Sequence, residues 1–367
     1  MTTSKHIVIL SSEFPPLPGG IGNQAYHLAK YLALEYAEVT VITDQRGDLE
    51  DEALFDNKLS FTVKRIPKTS ARFVMYFERL RRLIAVLRSA DVLIATGKFS
   101  LWLGALVSSF YNLKTIAIIH GTEVNFKSLL LRQSIDWALV RFDAVVAVSQ
   151  FTKGLVSHLP LKEIVVIPNG YDPDHWSSHM TKQNRIDTGP QLITVGRVSE
   201  RKGQRNVIKH LPSLMEAYPT IHYHCVGLPQ DTEACQQLAK ALDIESHITF
   251  HGMLSHETLE QLYQHMDIAV MLSQTTATGD VEGFGIALLE ANHYGIPTVG
   301  SKGCGIEDAI SEGVSGELIE PHNAVAFKEA IHKILANKQR YTQGAKAWAS
   351  QHQWQHSIKA YTRTIEA

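Results

Sequence analysis

Two carboxylates eight residues apart, Glu282 and Glu290, bracket the stretch Glu282-Gly-Phe-Gly-Ile-Ala-Leu-Leu-Glu290. Gly283 and Gly285 open a segment that reads as a helix, Ile286 to Tyr294. Before it come an apolar strand-like run, Asp267 to Leu272, and a polar loop, Ser273 to Val281. Strand, glycine-rich loop and helix start together make an anion site. The free N–H groups of the first turn point outward, and the macrodipole adds roughly half a positive charge there. The carboxylates would accept hydrogen bonds from sugar hydroxyls. An ordinary buried turn shows the same pattern, so the stretch needs support from elsewhere in the chain.

That support comes from Gly196-Arg197-Val-Ser-Glu-Arg201-Lys202-Gly203. Arg197 offers a planar fork to phosphate oxygens and Lys202 a point charge, and both can reach one anion from a single loop. His120, in His120-Gly-Thr-Glu123, ends an apolar run, where an imidazole can hydrogen-bond a hydroxyl or carbonyl oxygen; a structural histidine would look alike. Gly19-Gly20 follows the first apolar run, where a backbone must bend sharply or approach something closely. His222 and His224 alternate on one strand without a third ligand at suitable spacing, so no metal site is expected there. Asp172-Pro-Asp174 resembles a divalent-metal pair but carries ordinary turn chemistry.

Paired carboxylates also suggest glycoside hydrolysis. That chemistry needs carboxyl groups ~5–5.5 Å or ~6.5–9.5 Å apart. Eight residues of helix rise ~12 Å. Opposed acid and base are therefore not expected, and two grips on one long ligand are. A nucleotide diphosphate sugar is such a ligand, with the sugar near Glu282, the diphosphate on the helix N-terminus and the ribose near Glu290. Arg197 and Lys202 would offset the leaving group's charge without a metal.

The elements that must position these residues form two series. Strand-like runs at His6–Ser11, Val39–Thr43, Phe61–Ile66, Val92–Thr96, Thr115–His120, Ala144–Ser149 and Ile164–Pro168 alternate with helical patterns. A polar break follows, and a second series runs Leu192–Gly196, His222–Gly227, Ile248–Gly252, Ile268–Leu272, Pro297–Gly300 and Glu317–Glu320. Such alternation means α/β sheets with helices on both faces, and ligands bind beyond the strand C-termini. The expected division is 1–170, a linker at 171–189 and a second domain at 190–349.

The 367 residues carry a formal net charge of −2, which excludes a polyanion binder that works through bulk charge; no nucleic-acid partner is expected. Residues 1–170 hold 19 Lys+Arg against 15 Asp+Glu, and residues 58–88 hold nine Lys/Arg with one acid, Glu78. Three cysteines without a CxxC pair suit a reducing cytoplasm. No apolar run approaches the ~20 residues of a membrane span. The segment from Phe73 to Arg88 can form an amphipathic helix, with Phe73, Tyr76, Phe77, Leu80, Leu83, Ile84 and Leu87 on one face and Arg79, Arg81, Arg82 and Arg88 outside it. The apolar face can pack on the protein's own sheet. Alternatively Arg79, Arg81 and Arg82 meet anionic headgroups or the acceptor, with Phe126 to Arg132 as a second contact.

In this order and spacing, the motifs resemble the GT-B glycosyltransferases of the retaining GT4 type. The resemblance rests on Gly19-Gly20, His120-Gly-Thr-Glu123, Val148-Ser-Gln-Phe-Thr-Lys153, Ile167-Pro-Asn-Gly-Tyr-Asp172, Gly196 to Gly203, His251-Gly-Met-Leu254 and Glu282-x7-Glu290. It implies a GT-B fold, with two Rossmann-like domains facing a deep cleft and a C-terminal helix, about 350–367, packing back on the first, acceptor-binding domain. It implies that Arg197 and Lys202 bind the donor diphosphate, Glu282 the sugar hydroxyls and Glu290 the ribose. Phe284, Gly285 and Ile286 would offer backbone to sugar and phosphate, and Gly252-Met253 would lie near the base. Gly20, beside Gly19, would close over the phosphates, and His120 would contact the sugar. The activity implied is metal-independent transfer of a hexose from a GDP- or UDP-sugar, without a cofactor. The acceptor would be lipid-linked or a growing polysaccharide at the inner membrane face. A soluble acceptor, a non-catalytic partner subunit and a nucleotide-sugar epimerase remain alternatives.

Overall fold

Short apolar runs become parallel strands throughout the computed structural model, which describes residues 3–68, 72–176 and 189–367. The chain divides into two units, Met1–Asn169 with Trp354–Ala367, and Gly170–Gln353. Residues 177–188 of the expected linker lie outside the described residues.

The first unit holds β1 (Thr3–Ser11), β2 (Tyr36–Asp44), β3 (Thr62–Ile66), β4 (Val92–Thr96), β5 (Lys114–Ile119), β6 (Ala144–Ala147) and β7 (Ile164–Val166). They form one sheet in the order β3-β2-β1-β4-β5-β6-β7. Ile7 to Ile9 and Ile116 to Ile119 are wholly buried, as strands covered on both faces must be. The order reverses between β1 and β4, so the loops after those strands flank a topological switch point. The C-terminal helix Trp354–Glu366 belongs to this unit. Its buried Trp354 stacks on His27 and Tyr31, and Gln24 donates to the Tyr361 hydroxyl at 3.0 Å.

The second unit holds β8 (Gln191–Val195), β9 (His222–Val226), β10 (Ile248–Gly252), β11 (Ile268–Met271), β12 (Thr298–Ser301) and β13 (Gly316–Ile319). Their order, β10-β9-β8-β11-β12-β13, puts the switch point between β8 and β11. Leu192, Val207, Leu211, Tyr223, Val270 and Phe327 fill the core beneath it. The two loops singled out from sequence, Gly196–Gly203 and Ser273–Glu282, leave from the ends of these two strands. Both Rossmann-like halves of a GT-B fold are therefore present.

The basic helix corrects an expectation. It runs Arg72–Leu87; Leu83 and Leu87 of the expected apolar face are buried, and so is Val86, which is not assigned to that face. Arg79 is not a surface cation. It is buried, paired with Asp44 at the end of β2, and its guanidinium sits 4.1 Å from the Phe99 ring centroid. Arg81 and Arg82 both bond Glu78, at 2.7 and 2.6 Å. Phe77, assigned to the apolar face, is 68% exposed. The side chain of Phe73 lies outside the described residues. The long arginine reaches a carboxylate 35 positions away, which no helical wheel represents.

Candidate active site

At the end of β8 the backbone turns through Gly196, whose φ of +141° favours glycine and whose missing side chain makes room for the Lys202 stem. Glu200–Lys202 forms one short helical turn and Gly203 caps it in the left-handed region at φ +77°. The Lys202 ammonium is thereby carried across to the end of β11, 3.7 Å from the Met271 sulfur. There it meets Glu282 at 2.8 Å. Arg201 bonds the same Glu282 oxygen, Oε2, and lies 3.4 Å from Asp280. Glu282 is nearly buried. Burial raises its pKa, but Lys202 and then Arg201 outweigh that and hold the carboxyl below the usual range, so it is ionised at neutral pH.

The glycine-rich loop is fixed from below. Gly305 donates its N–H to the Glu282 carbonyl at 2.9 Å, and a side chain on Gly305 would lie 1.9 Å from the Gly283 oxygen. Gly285, at φ +89°, starts the helix Ile286–His293, while Phe284 is buried beneath the loop. In the first turn of that helix the Leu288 N–H already bonds the Gly285 carbonyl at 3.0 Å, which leaves those of Ile286 and Ala287 to meet an anion.

Glu290 lies one turn further along and has no hydrogen-bond or ion-pair partner among the described residues. Burial pushes its carboxyl up to about 7, with Lys202 partly opposing. The ordinary value is 4.5, so the unfolded chain ionises first and the stability this group contributes is lost as pH rises from about 4.5 toward about 7. Glu290→Gln is therefore expected to exceed wild type in stability at pH 8, by about 3 kcal/mol at most, and to match it near pH 4. Urea titrations at both pH values measure this; a pH-independent difference would contradict it.

Other expected residues fall differently. Arg197 is exposed and reaches Gln230 at 3.4 Å rather than Glu282. Met253 follows β10 and is 62% exposed. Arg201 stands in the sequence motif without a role, and its contact with Glu282 follows only from the strand order. His224 bonds His251 at 2.9 Å and His222 bonds Thr249 at 2.8 Å, so these rings serve the sheet. Ser149 caps the helix Gln150–Leu155 through the Thr152 N–H, which gives the Val148–Lys153 motif a structural purpose. Asp172 likewise caps the turn at Asp174.

In the first unit, His120 follows directly on β5 and its Nε2 is 2.8 Å from the Thr96 hydroxyl at the end of β4. Its backbone N–H donates to the Glu123 carboxylate. Burial lowers the imidazole to about 4, so it is neutral at pH 7. Gly19 packs against Glu13 and Arg46, where a side chain would lie 2.2 Å from the Glu13 carboxylate. Gly20, which begins the helix Gly20–Glu35, has open space above it.

Two family descriptions match almost the whole chain between them: glycosyltransferase family 4 over residues 18–175 and glycosyl transferases group 1 over residues 177–350. A GDP-mannose-dependent α-(1-6)-phosphatidylinositol monomannoside mannosyltransferase of Mycolicibacterium smegmatis is 25% identical, covering 91% of this chain and 90% of its own. A monoacylated-substrate counterpart in Corynebacterium glutamicum is 26% identical over the same shares. The crystal structure of Anabaena HepE with UDP and glucose superposes with a TM-score of 0.81 over 99% of both chains at 20% identity.

Proposed function

Because the chain belongs to the group 1 glycosyltransferases of family 4, we propose that it moves a hexose from a nucleotide diphosphate sugar to a lipid-linked or polysaccharide acceptor, with retention of configuration. The observation that carries the donor half is the meeting of Lys202, Arg201 and Glu282 at the β8/β11 switch point, beside a glycine-opened helix N-terminus. The diphosphate takes the helix N-terminus and Lys202, with Arg197 free to swing in from solvent. Glu282 accepts from the sugar hydroxyls and Glu290 from the ribose.

The bond from the anomeric carbon to the β-phosphate oxygen breaks and its electron pair leaves with the phosphate. The acceptor hydroxyl attacks the same face and passes its proton to the departing phosphate. Glu282 is a poor covalent nucleophile, since two cations hold one oxygen and keep its basicity low. The charge of the leaving group is offset by Lys202, Arg197 and the helix start, with no metal assigned. The neutral His120 imidazole is suited to hydrogen-bond a sugar hydroxyl.

The relatives named for GDP-mannose and phosphatidylinositol monomannoside support GDP-mannose as the first donor to test and a glycolipid as the acceptor. Among the described residues no helix is long and apolar enough to cross a membrane. Leu129 and Leu130, 73% and 80% exposed between Lys127 and Arg132, support peripheral docking at the cytoplasmic membrane face.

A thermal-shift panel of UDP-, GDP- and ADP-sugars tests the donor. The true one, at ~100 times its dissociation constant, adds ~2.7 kcal/mol of stability. Transfer should persist in EDTA, and NMR of the product should show the donor's anomeric configuration. No shift with any nucleotide sugar would defeat the proposal, and inhibition by EDTA reversed by manganese would defeat its metal-free form.

A further inference from the structure

We propose that Arg201 is a positioning residue that aims the Glu282 carboxylate at the donor's sugar, and that Lys202 passes from Glu282 to the diphosphate as the donor arrives. The inference rests on the donor assignment above. Both cations bond one oxygen of Glu282, Oε2, while Oε1 accepts no hydrogen bond among the described residues. One oxygen is thus fixed and the other kept for a hydroxyl. Arg201 is tied to the loop that carries Glu282 at two further points. Its guanidinium lies 3.4 Å from Asp280, and its carbonyl accepts from the Gln274 N–H at 3.1 Å. That loop is itself closed, with Thr276 and Asp280 exchanging hydrogen bonds of 3.0 Å.

Lys202 is held differently. It is a point charge on a flexible stem lying along Gly196, and besides Glu282 its ammonium has, among the described residues, the Met271 sulfur as its hydrogen-bond contact. An entering diphosphate therefore draws Lys202 off Glu282, while the arginine fork stays. A bare nucleotide diphosphate must compete with Glu282 for Lys202 and gains nothing from Oε1. A sugar-bearing donor recovers that cost through its hydroxyl. Arg201 accordingly sets the preference for donor over spent nucleotide.

Calorimetric titration of UDP, GDP and their hexose derivatives, with steady-state kinetics, tests this on wild type, Arg201→Gln, Arg201→Lys and Glu282→Gln. Arg201→Gln should lower kcat about tenfold or more, and Arg201→Lys should restore part of it. In Arg201→Gln the bare nucleotide's Kd should move less than about threefold, while the preference for the sugar-bearing form disappears. Glu282→Gln should bind the bare nucleotide about five- to tenfold tighter, because its competitor for Lys202 has lost its charge. Equal weakening of bare and sugar-bearing nucleotides in Arg201→Gln would overturn the role of Arg201. Unchanged or weaker nucleotide binding in Glu282→Gln would overturn the exchange. Failure of wild type to bind any of the four would overturn the donor assignment itself and this inference with it.

Discussion

Lys202→Ala is expected to lower transfer about 10²–10³-fold, a loss of about 3–4 kcal/mol in transition-state stabilisation. Of the two cations on Glu282, the ammonium is the one that can follow the developing charge on the leaving diphosphate, because its stem is flexible at the end of β11 while Arg201 is tied to the Glu282 loop. The fold should survive. Removing one partner of a buried ion pair usually leaves an uncompensated charge, but Glu282 keeps Arg201 on the same oxygen. Tm should therefore shift by only a few degrees while turnover collapses. Parallel melting curves and initial-rate assays separate the two effects. Transfer within threefold of wild type would remove Lys202 from the reaction, and a large loss of Tm would assign the lost turnover to unfolding rather than to catalysis. Glu282→Ala is expected to be as inactive, for the different reason that no acceptor remains for the sugar hydroxyls.

The parallel sheets were legible because their central strands, β4 and β5 among them, are apolar runs buried on both faces and bounded by turn residues. Val92–Thr96 and Ile248–Gly252 begin and end where their composition says. The glycine-rich loop before Ile286 was legible for a related reason: Gly285 must adopt a left-handed conformation, and that demand leaves a glycine in the sequence. What the sequence hid were pairings made by topology. Arg201 meets Glu282 across 81 positions because β8 and β11 are neighbours, and neither local spacing nor residue type announces it. Arg79 shows the same limit from the other side. A helical wheel counts it as polar and therefore outward, yet Asp44 at the end of β2 and the face of Phe99 provide a buried site for its charge. Arg81 and Arg82, bound to Glu78, leave less free positive charge on that helix than its composition alone implies.

Gly203→Ala should show how closely the site depends on backbone. The residue has φ +77°, where an alanine costs about 1–2 kcal/mol. The steric effect is greater. A side chain there would lie 1.8 Å from the Leu272 carbonyl oxygen and 2.3 Å from its carbon, at the end of β11. Backbone cannot yield as the tip of a flexible side chain can, so the loop must move away from the strand. That motion breaks the 3.0 Å bond from the Asn206 side chain to the same carbonyl and lifts Lys202, the preceding residue, from Glu282. A total cost of about 3–4 kcal/mol or more is expected, with transfer reduced even in the fraction that stays folded. Gly313→Ala supplies the control. It has a similar φ of +73° but nothing within 4 Å of the added carbon, so only the conformational cost of about 1–2 kcal/mol applies and activity should be kept. Urea denaturation of both variants isolates the steric cost as their difference. If the two lost equal stability, the close approach of Gly203 to the Leu272 carbonyl would not be what holds the lysine loop over the switch point.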